Sequence, residues 1–172
     1  MENMTEKVKK AYLVTWVTHN SRVSERMVEY GVKTGEPVIL GNHERMIVAD
    51  ALADKIREQR YCVLAVNVLE DHVHCVVICE EDNLAEIIQH LKGYSSYTYN
   101  RQLQLSDTRG GRQAKLWAKG SSQTWLETEE HLCNAIEYVQ YNHSKHGVSD
   151  TGSSLSNPQL KGVVVELGEA FV

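Results

Sequence analysis

The densest run of apolar residues in the chain lies between Tyr61 and Cys79, in YCVLAVNVLEDHVHCVVIC. Val63, Leu64, Val66, Val68 and Leu69 precede the polar pair Glu70-Asp71, and Val73, Val76, Val77 and Ile78 follow it. Strand-forming residues at this density, broken once by two acids, predict two central strands joined by a short turn. Upstream, AYLVTWVT from Ala11 to Thr18 sets Tyr12, Val14 and Trp16 on one face and Leu13, Thr15 and Val17 on the other, which predicts a first strand ending in the polar His19-Asn20-Ser21-Arg22. Residues 31–41, rich in turn formers, predict a loop with a short extended piece at Val38-Leu40.

Helical spacing appears three times. Met46, Ala49, Leu52, Ala53 and Ile56 mark a helix over 43–60, with Asn42 as its N-cap. Leu84, Ile87, Ile88 and Leu91 mark a second, from Leu84 towards Leu103, capped by Asp82 or Asn83. Thr128, followed by Glu129 and Glu130, starts a third that runs towards Lys145, with Gly147 as a C′ residue. Residues 106–113 read as a loop, and Lys115 to Lys119 as a further short strand. The order β-α-β-β-α-β-α predicts an α+β fold, a ferredoxin-like antiparallel sheet with helices packed on one side of it. The boundaries are a domain over 1–148 and a tail over 149–172, in which Val163-Val164-Val165 can add one strand.

Composition narrows the class. A chain of 172 residues with 42% hydrophobic residues builds one domain with a core and is not a disordered segment. No stretch approaches the ~20 apolar residues of a membrane span. MENMTEKVKK has no apolar segment behind it of the kind a secretory signal needs. Four Cys without a CxxC pair are expected to be reduced, mostly buried thiols, and the expected location is cytoplasmic.

The net charge of -5 argues against a protein that coats nucleic acid indiscriminately. Charge is uneven, however. From Lys92 to Lys119 six basic residues face one acid, Asp107, a local surplus of +5. Tyr94, Tyr97 and Tyr99 are interleaved with Lys92 and Arg101 in this region, a combination suited to base stacking and phosphate contact on single strands. Lys92, Tyr94, Tyr97, Arg101, Arg109, Arg112, Lys115 and Lys119 are the candidate DNA-contacting set. The same residues also fit a solvated face with tyrosines packed at a helix end.

Candidate chemistry centres on His72-Val73-His74. In a strand, residues two apart share a face and lie roughly 6.6 Å apart, so two imidazoles can converge on one ion while Val73 turns into the core. On the third helix, Leu132, Ala135, Ile136 and Val139 form one apolar stripe. Tyr138 falls about 110° and Asn142 about 70° from the centre of that stripe, one turn apart, whereas Tyr141 points to water. Tyr138 and Asn142 can therefore face a site beside the sheet. The set makes sense for phosphoryl transfer. A tyrosine hydroxyl attacks a phosphodiester and holds it covalently. A divalent ion, Mg²⁺ or Mn²⁺, held by His72, His74 and the Asn142 oxygen offsets the developing charge. Two other classes stay open. One is a different HxH metalloenzyme, although neither the glutamate spacing of a cupin nor the third His of a histidine-triad hydrolase is present. The other is a non-catalytic ferredoxin-like module that binds nucleic acid.

LEDHVHCVV and AIEYVQYNHSKHGV resemble, respectively, the metal-binding motif and the nucleophile helix of the single-tyrosine HUH-class transposases, including the REP-associated tyrosine transposases. LKGYSSYTYN and LWAKGS resemble the intervening helix and the strand before the last helix. The resemblance covers about Ala11 to Val148. It implies nicking and rejoining of single-stranded DNA through a 5′-phosphotyrosine at Tyr138, metal dependence, a DNA hairpin near the cleavage site, and a homodimer. Two positions depart from the family pattern. Leu69-Glu70-Asp71 stands where many relatives have Met-Pro-Asn, and His143 follows Asn142 where many have Pro. Neither removes a catalytic atom, but Glu70-Asp71 places negative charge where DNA should approach.

Overall fold

The computed structural model describes residues 7–105, 114–141 and 163–164. Its elements are β1 (Lys9–Val17), α1 (Glu25–Glu29), α2 (Asn42–Gln59), β2 (Cys62–Val68), β3 (His72–Glu80), α3 (Glu81–Gln102), β4 (Ser122–Leu126), α4 (Glu129–Tyr141) and β5 (Val163–Val164). The strands form one sheet in the order β4-β1-β3-β2-β5, and every neighbouring pair is antiparallel. The first four strands thus adopt the ferredoxin-like arrangement expected from the hydrophobic pattern.

The sheet is covered on both faces rather than one. On the first face, Tyr12, Val14 and Trp16 of β1 and Val73, Cys75 and Val77 of β3 pack against Val48, Leu52 and Ile56 of α2 and Leu84, Ile88 and Leu91 of α3. On the second, Leu13, Leu64, Ala65, Val76 and Leu126 pack against Leu132, Ala135, Ile136 and Val139 of α4. The strands carry apolar residues on both faces, as a sheet buried between two layers requires. Strict alternation breaks in β2, where the register shifts between Val63 and Ala65. This bulge puts Leu64 and Ala65 together in the α4 layer and returns Val66 and Val68 to the main core.

Three other expectations need correction. The strand that pairs with β1 is Ser122–Leu126, not Lys115–Lys119. Lys115–Lys119 makes one isolated bridge, Trp117 to Thr18, with the residue just past β1. Leu116 and Trp117 are buried because they close the end of the core. Trp117 packs edge-on against Trp16 at 6.1 Å, and its Nε1 donates to Ser95 Oγ at 3.0 Å. Gly120, at φ 77°, then turns the chain into β4, a conformation that favours glycine. Second, α3 begins at Glu81, directly off β3, so neither Asp82 nor Asn83 is its cap. Third, α2 begins at Asn42 itself, with Gly41 at the N-cap position and no side-chain cap bond, so Asn42 is not its cap. The short helix α1, with Ser24 accepting from the Met27 amide, carries no buried residue and left no periodicity to read. None of the described helices is long and apolar enough to cross a membrane.

Candidate active site

His72 and His74 open β3 on the face that α4 covers. Their orientation follows from alternation: Val73, between them, is fully buried in the core on the other face. Both imidazoles are themselves buried, at 8% and 7% exposure, so each needs partners for its ring nitrogens. The sheet supplies them. Thr15 stands opposite His74 in the β1–β3 register, and its Oγ1 lies 2.7 Å from His74 Nδ1. Asp71, in the turn before β3, places Oδ1 2.5 Å from His72 Nδ1. Each Nδ1 is thereby engaged from behind, which leaves the two Nε2 atoms facing each other 3.0 Å apart. The rings meet nearly edge to face, at 79°.

Electrostatics keeps His74 unprotonated. Burial pushes His74 down to about 4, helped by the neighbouring His72 and by Arg22, with Asp71 opposing. A neutral imidazole with one nitrogen oriented by an outer partner is the form in which histidine ligates metal. Two nitrogens about 2.1 Å from one ion and at right angles across it stand about 3.0 Å apart. The Nε2 separation matches that requirement. The donor set therefore fits a divalent ion. Among the described residues no group of three or more His, Cys, Asp or Glu surrounds such a point. Asn142, the third ligand expected from the sequence, lies outside the described residues.

Helix α4 brings Tyr138 to the same place. Thr128 starts the helix, its Oγ1 accepting from the His131 amide at 3.1 Å. Ala135 and Val139 are buried against Ala65 and Val76, which sets the rotation of the helix. Asn67 of β2 fixes its end: Nδ2 donates to the Val139 carbonyl at 2.8 Å, in a buried bond. With the stripe seated, the Tyr138 ring stands 5.2 Å from the His74 ring at 64°. Tyr138 remains 46% exposed, reachable by a substrate, whereas Tyr141 points outward at 68%. No other described tyrosine makes a ring contact with the His pair.

A scan of protein families matches the model described as "Transposase IS200 like" over residues 32–142, most of the chain and a span that includes His72, His74, Tyr138 and Asn142. The chain belongs to the IS200-like transposase family. Among solved structures it is similar to a REP-associated tyrosine transposase bound to a REP hairpin, at 14% identity, with a TM-score of 0.48 over 81% of this chain and 70% of that one. It is also similar to a protein of Deinococcus radiodurans described as a transposase, at 19% identity, with a TM-score of 0.45 over 81% of this chain and 95% of that one. No curated protein matches. Family membership places the chain among DNA-cleaving transposases, and its fold is an α+β antiparallel sheet with ferredoxin-like strand order.

The basic, tyrosine-rich set lies elsewhere. Helix α3 packs with α2 on the face of the sheet opposite His72 and His74. Lys92 directs its ammonium to the carbonyls of Ala118 at 2.9 Å and Gly120 at 2.7 Å, closing the turn before β4. Tyr94 lies under the Lys55 ammonium at 5.1 Å. Tyr97, Arg101, Lys115 and Lys119 are exposed, and Arg109 and Arg112 lie outside the described residues. Sequence reasoning missed the supporting residues of the His pair. Asp71 was visible only as an unwelcome charge next to His72. Thr15 carried no local signal, because its role comes from cross-strand register.

Proposed function

We propose that the protein is a metal-dependent nuclease and strand transferase for single-stranded DNA that works through a covalent 5′-phosphotyrosine at Tyr138. The observation that carries this reading is the edge contact of the half-exposed Tyr138 ring with His74, whose Nε2 converges with that of His72. His72, His74 and the Asn142 amide oxygen would hold Mg²⁺ or Mn²⁺, which when bound polarises the scissile phosphate. The Tyr138 oxygen attacks phosphorus, the bond from phosphorus to the 3′ oxygen breaks, and the 3′ oxygen leaves to take up a proton. In the reverse direction a 3′-hydroxyl attacks the phosphotyrosine and releases Tyr138, which joins the strands. An unaided phenol with a pKa near 10 is a poor nucleophile, so activation beside the His pair is what the site must provide. The resemblance in the motifs adds a DNA hairpin beside the cleavage site and a homodimer to the proposal.

The test uses single-stranded oligonucleotides that tile both strands of the DNA flanking the gene. With Mn²⁺, the protein is expected to form an adduct that survives denaturing electrophoresis. Tyr138→Phe is expected to abolish the adduct and leave Mn²⁺ binding unchanged. An adduct that persists in Tyr138→Phe removes Tyr138 from the role, and absence of Mn²⁺ binding at the His pair removes the mechanism.

A further inference from the structure

The turn after β1 is attached to the site by more bonds than a surface connection needs. Thr18, fully buried, gives its amide to the Asp71 carbonyl at 2.8 Å and its hydroxyl to the Val38 carbonyl at 2.6 Å. Ser21 Oγ donates to the Thr18 carbonyl at 2.9 Å and lies 3.5 Å from the Asp71 carbonyl. Between them Asn20 takes φ 62°, a left-handed conformation that asparagine tolerates better than most residues. The backbone of 18–21 is thus tied to the backbone of Asp71, whose side chain orients His72.

This turn delivers Arg22. Its guanidinium stands 3.8 Å from Asp71 Oδ2, on the carboxylate oxygen that His72 does not use. At that distance the contact is an ion pair without a hydrogen bond. Arg22 makes no hydrogen bond among the described residues, and its side chain is 54% exposed. A cation placed by a rigid turn, one carboxylate away from a metal-ligand histidine, and with its N–H groups open to solvent, is arranged to receive an oxygen anion from outside. Arg22 also answers the charge of Glu70-Asp71, which otherwise opposes the approach of DNA.

We propose that Arg22 is a phosphate-contacting residue of the active site, which binds the DNA strand at the phosphate presented to His72, His74 and Tyr138. The proposal rests on the phosphotyrosine reading for its substrate. Asp71 then serves twice, orienting His72 through one oxygen and holding the guanidinium loosely with the other until a phosphate takes it.

The experiment compares wild type, Arg22→Ala and Arg22→Lys on the same tiled oligonucleotides. It measures the rate of Tyr138 adduct formation, the salt dependence of single-strand binding by fluorescence anisotropy, and Mn²⁺ affinity in the absence of DNA. Loss of a charged hydrogen-bond donor to phosphate is expected to slow the adduct about 10- to 100-fold in Arg22→Ala, with partial recovery in Arg22→Lys. The slope of log affinity against log salt is expected to fall by about 0.7, one single-strand phosphate contact. Mn²⁺ affinity should be the same in all three proteins. Equal adduct rates and equal slopes overturn the proposal. So does a parallel loss of Mn²⁺ affinity, which makes Arg22 a support for Asp71 and His72. If the wild type forms no adduct on any oligonucleotide, the phosphotyrosine reading fails, and the salt slope alone decides whether Arg22 contacts DNA.

Discussion

At the scale of single residues, the site depends on groups that touch no substrate. His72 is held by Asp71 and His74 by Thr15, each through Nδ1. Outer partners of this kind fix the tautomer and direction of a ligating ring, and their loss lowers metal affinity by about 10- to 100-fold. Asp71→Asn and Thr15→Val are both expected to weaken Mn²⁺ binding within that range, read by calorimetry or by the Mn²⁺ resonance, while thermal stability changes little. An affinity unchanged in both variants assigns the orienting role to packing instead. The buried, depressed His74 also makes the metal-free fold acid-sensitive. Its folded pKa, about 4, lies below the ordinary 6.5. As pH falls through 6.5 the unfolded chain takes a proton that the folded chain refuses, so stability drops between pH 6.5 and about 4 and then levels. Urea unfolding in chelator at pH 7 and pH 4.5 should show a loss of up to about 2 kcal/mol that His74→Asn largely removes.

At the scale of elements, the position of Tyr138 is a consequence of how α4 is clamped. Val139 and Ala135 set the rotation of the helix, and the Asn67 bond to the Val139 carbonyl sets its depth one residue beyond Tyr138. Asn67→Ala leaves that buried carbonyl without its donor, at a cost of about 1–3 kcal/mol. Adduct formation is expected to fall further than the lost stability implies, because the phenol shifts relative to the His pair. A variant that loses stability and keeps its adduct rate shows that α4 is placed by its apolar stripe alone. Much of this was legible in the chain. The His-x-His spacing, the apolar stripe of α4 and the flank position of Tyr138 follow from the periods of strand and helix, which are local properties. The arrangement of layers was not legible, since apolar runs such as Val76-Val77-Ile78 are equally compatible with one covered face or two. β4 was missed because SQTWL is a mostly exposed edge strand, with little apolar content to announce it. The apolar KLWAK beside it drew the assignment instead. Asp71, Thr15 and Arg22 were unreadable as site residues because a turn and a cross-strand register bring them there, and both are properties of the assembled sheet.

At the scale of the whole molecule, the site sits on a row of residues that crosses the sheet. Ser122 pairs with Thr15, Thr15 with His74, His74 with Asn67, and Asn67 with Val164 of β5. The row joins His74, the Thr15 that orients it and the Asn67 that anchors the helix of Tyr138, and its last member lies in the C-terminal tail. β5 covers the backbone of β2 at Asn67 and Val68, an edge that would otherwise be open to water or to another strand. Removing residues 149–172 deletes that cover. A few edge hydrogen bonds are each worth about 1 kcal/mol net, so the truncated chain is expected to be less stable by about 1–2 kcal/mol. The effect on chemistry should be graded by distance from the edge. His72 and His74 lie on β3, between two full strands, so Mn²⁺ affinity should survive truncation. Asn67 lies on β2 and holds α4, so the yield of Tyr138 adduct should fall. Thermal melting, calorimetry and the adduct assay on one truncated protein separate these effects. Equal loss of metal binding and adduct would mean that the tail supports the entire sheet, whereas loss of neither would make β5 an appendage with no part in positioning the site.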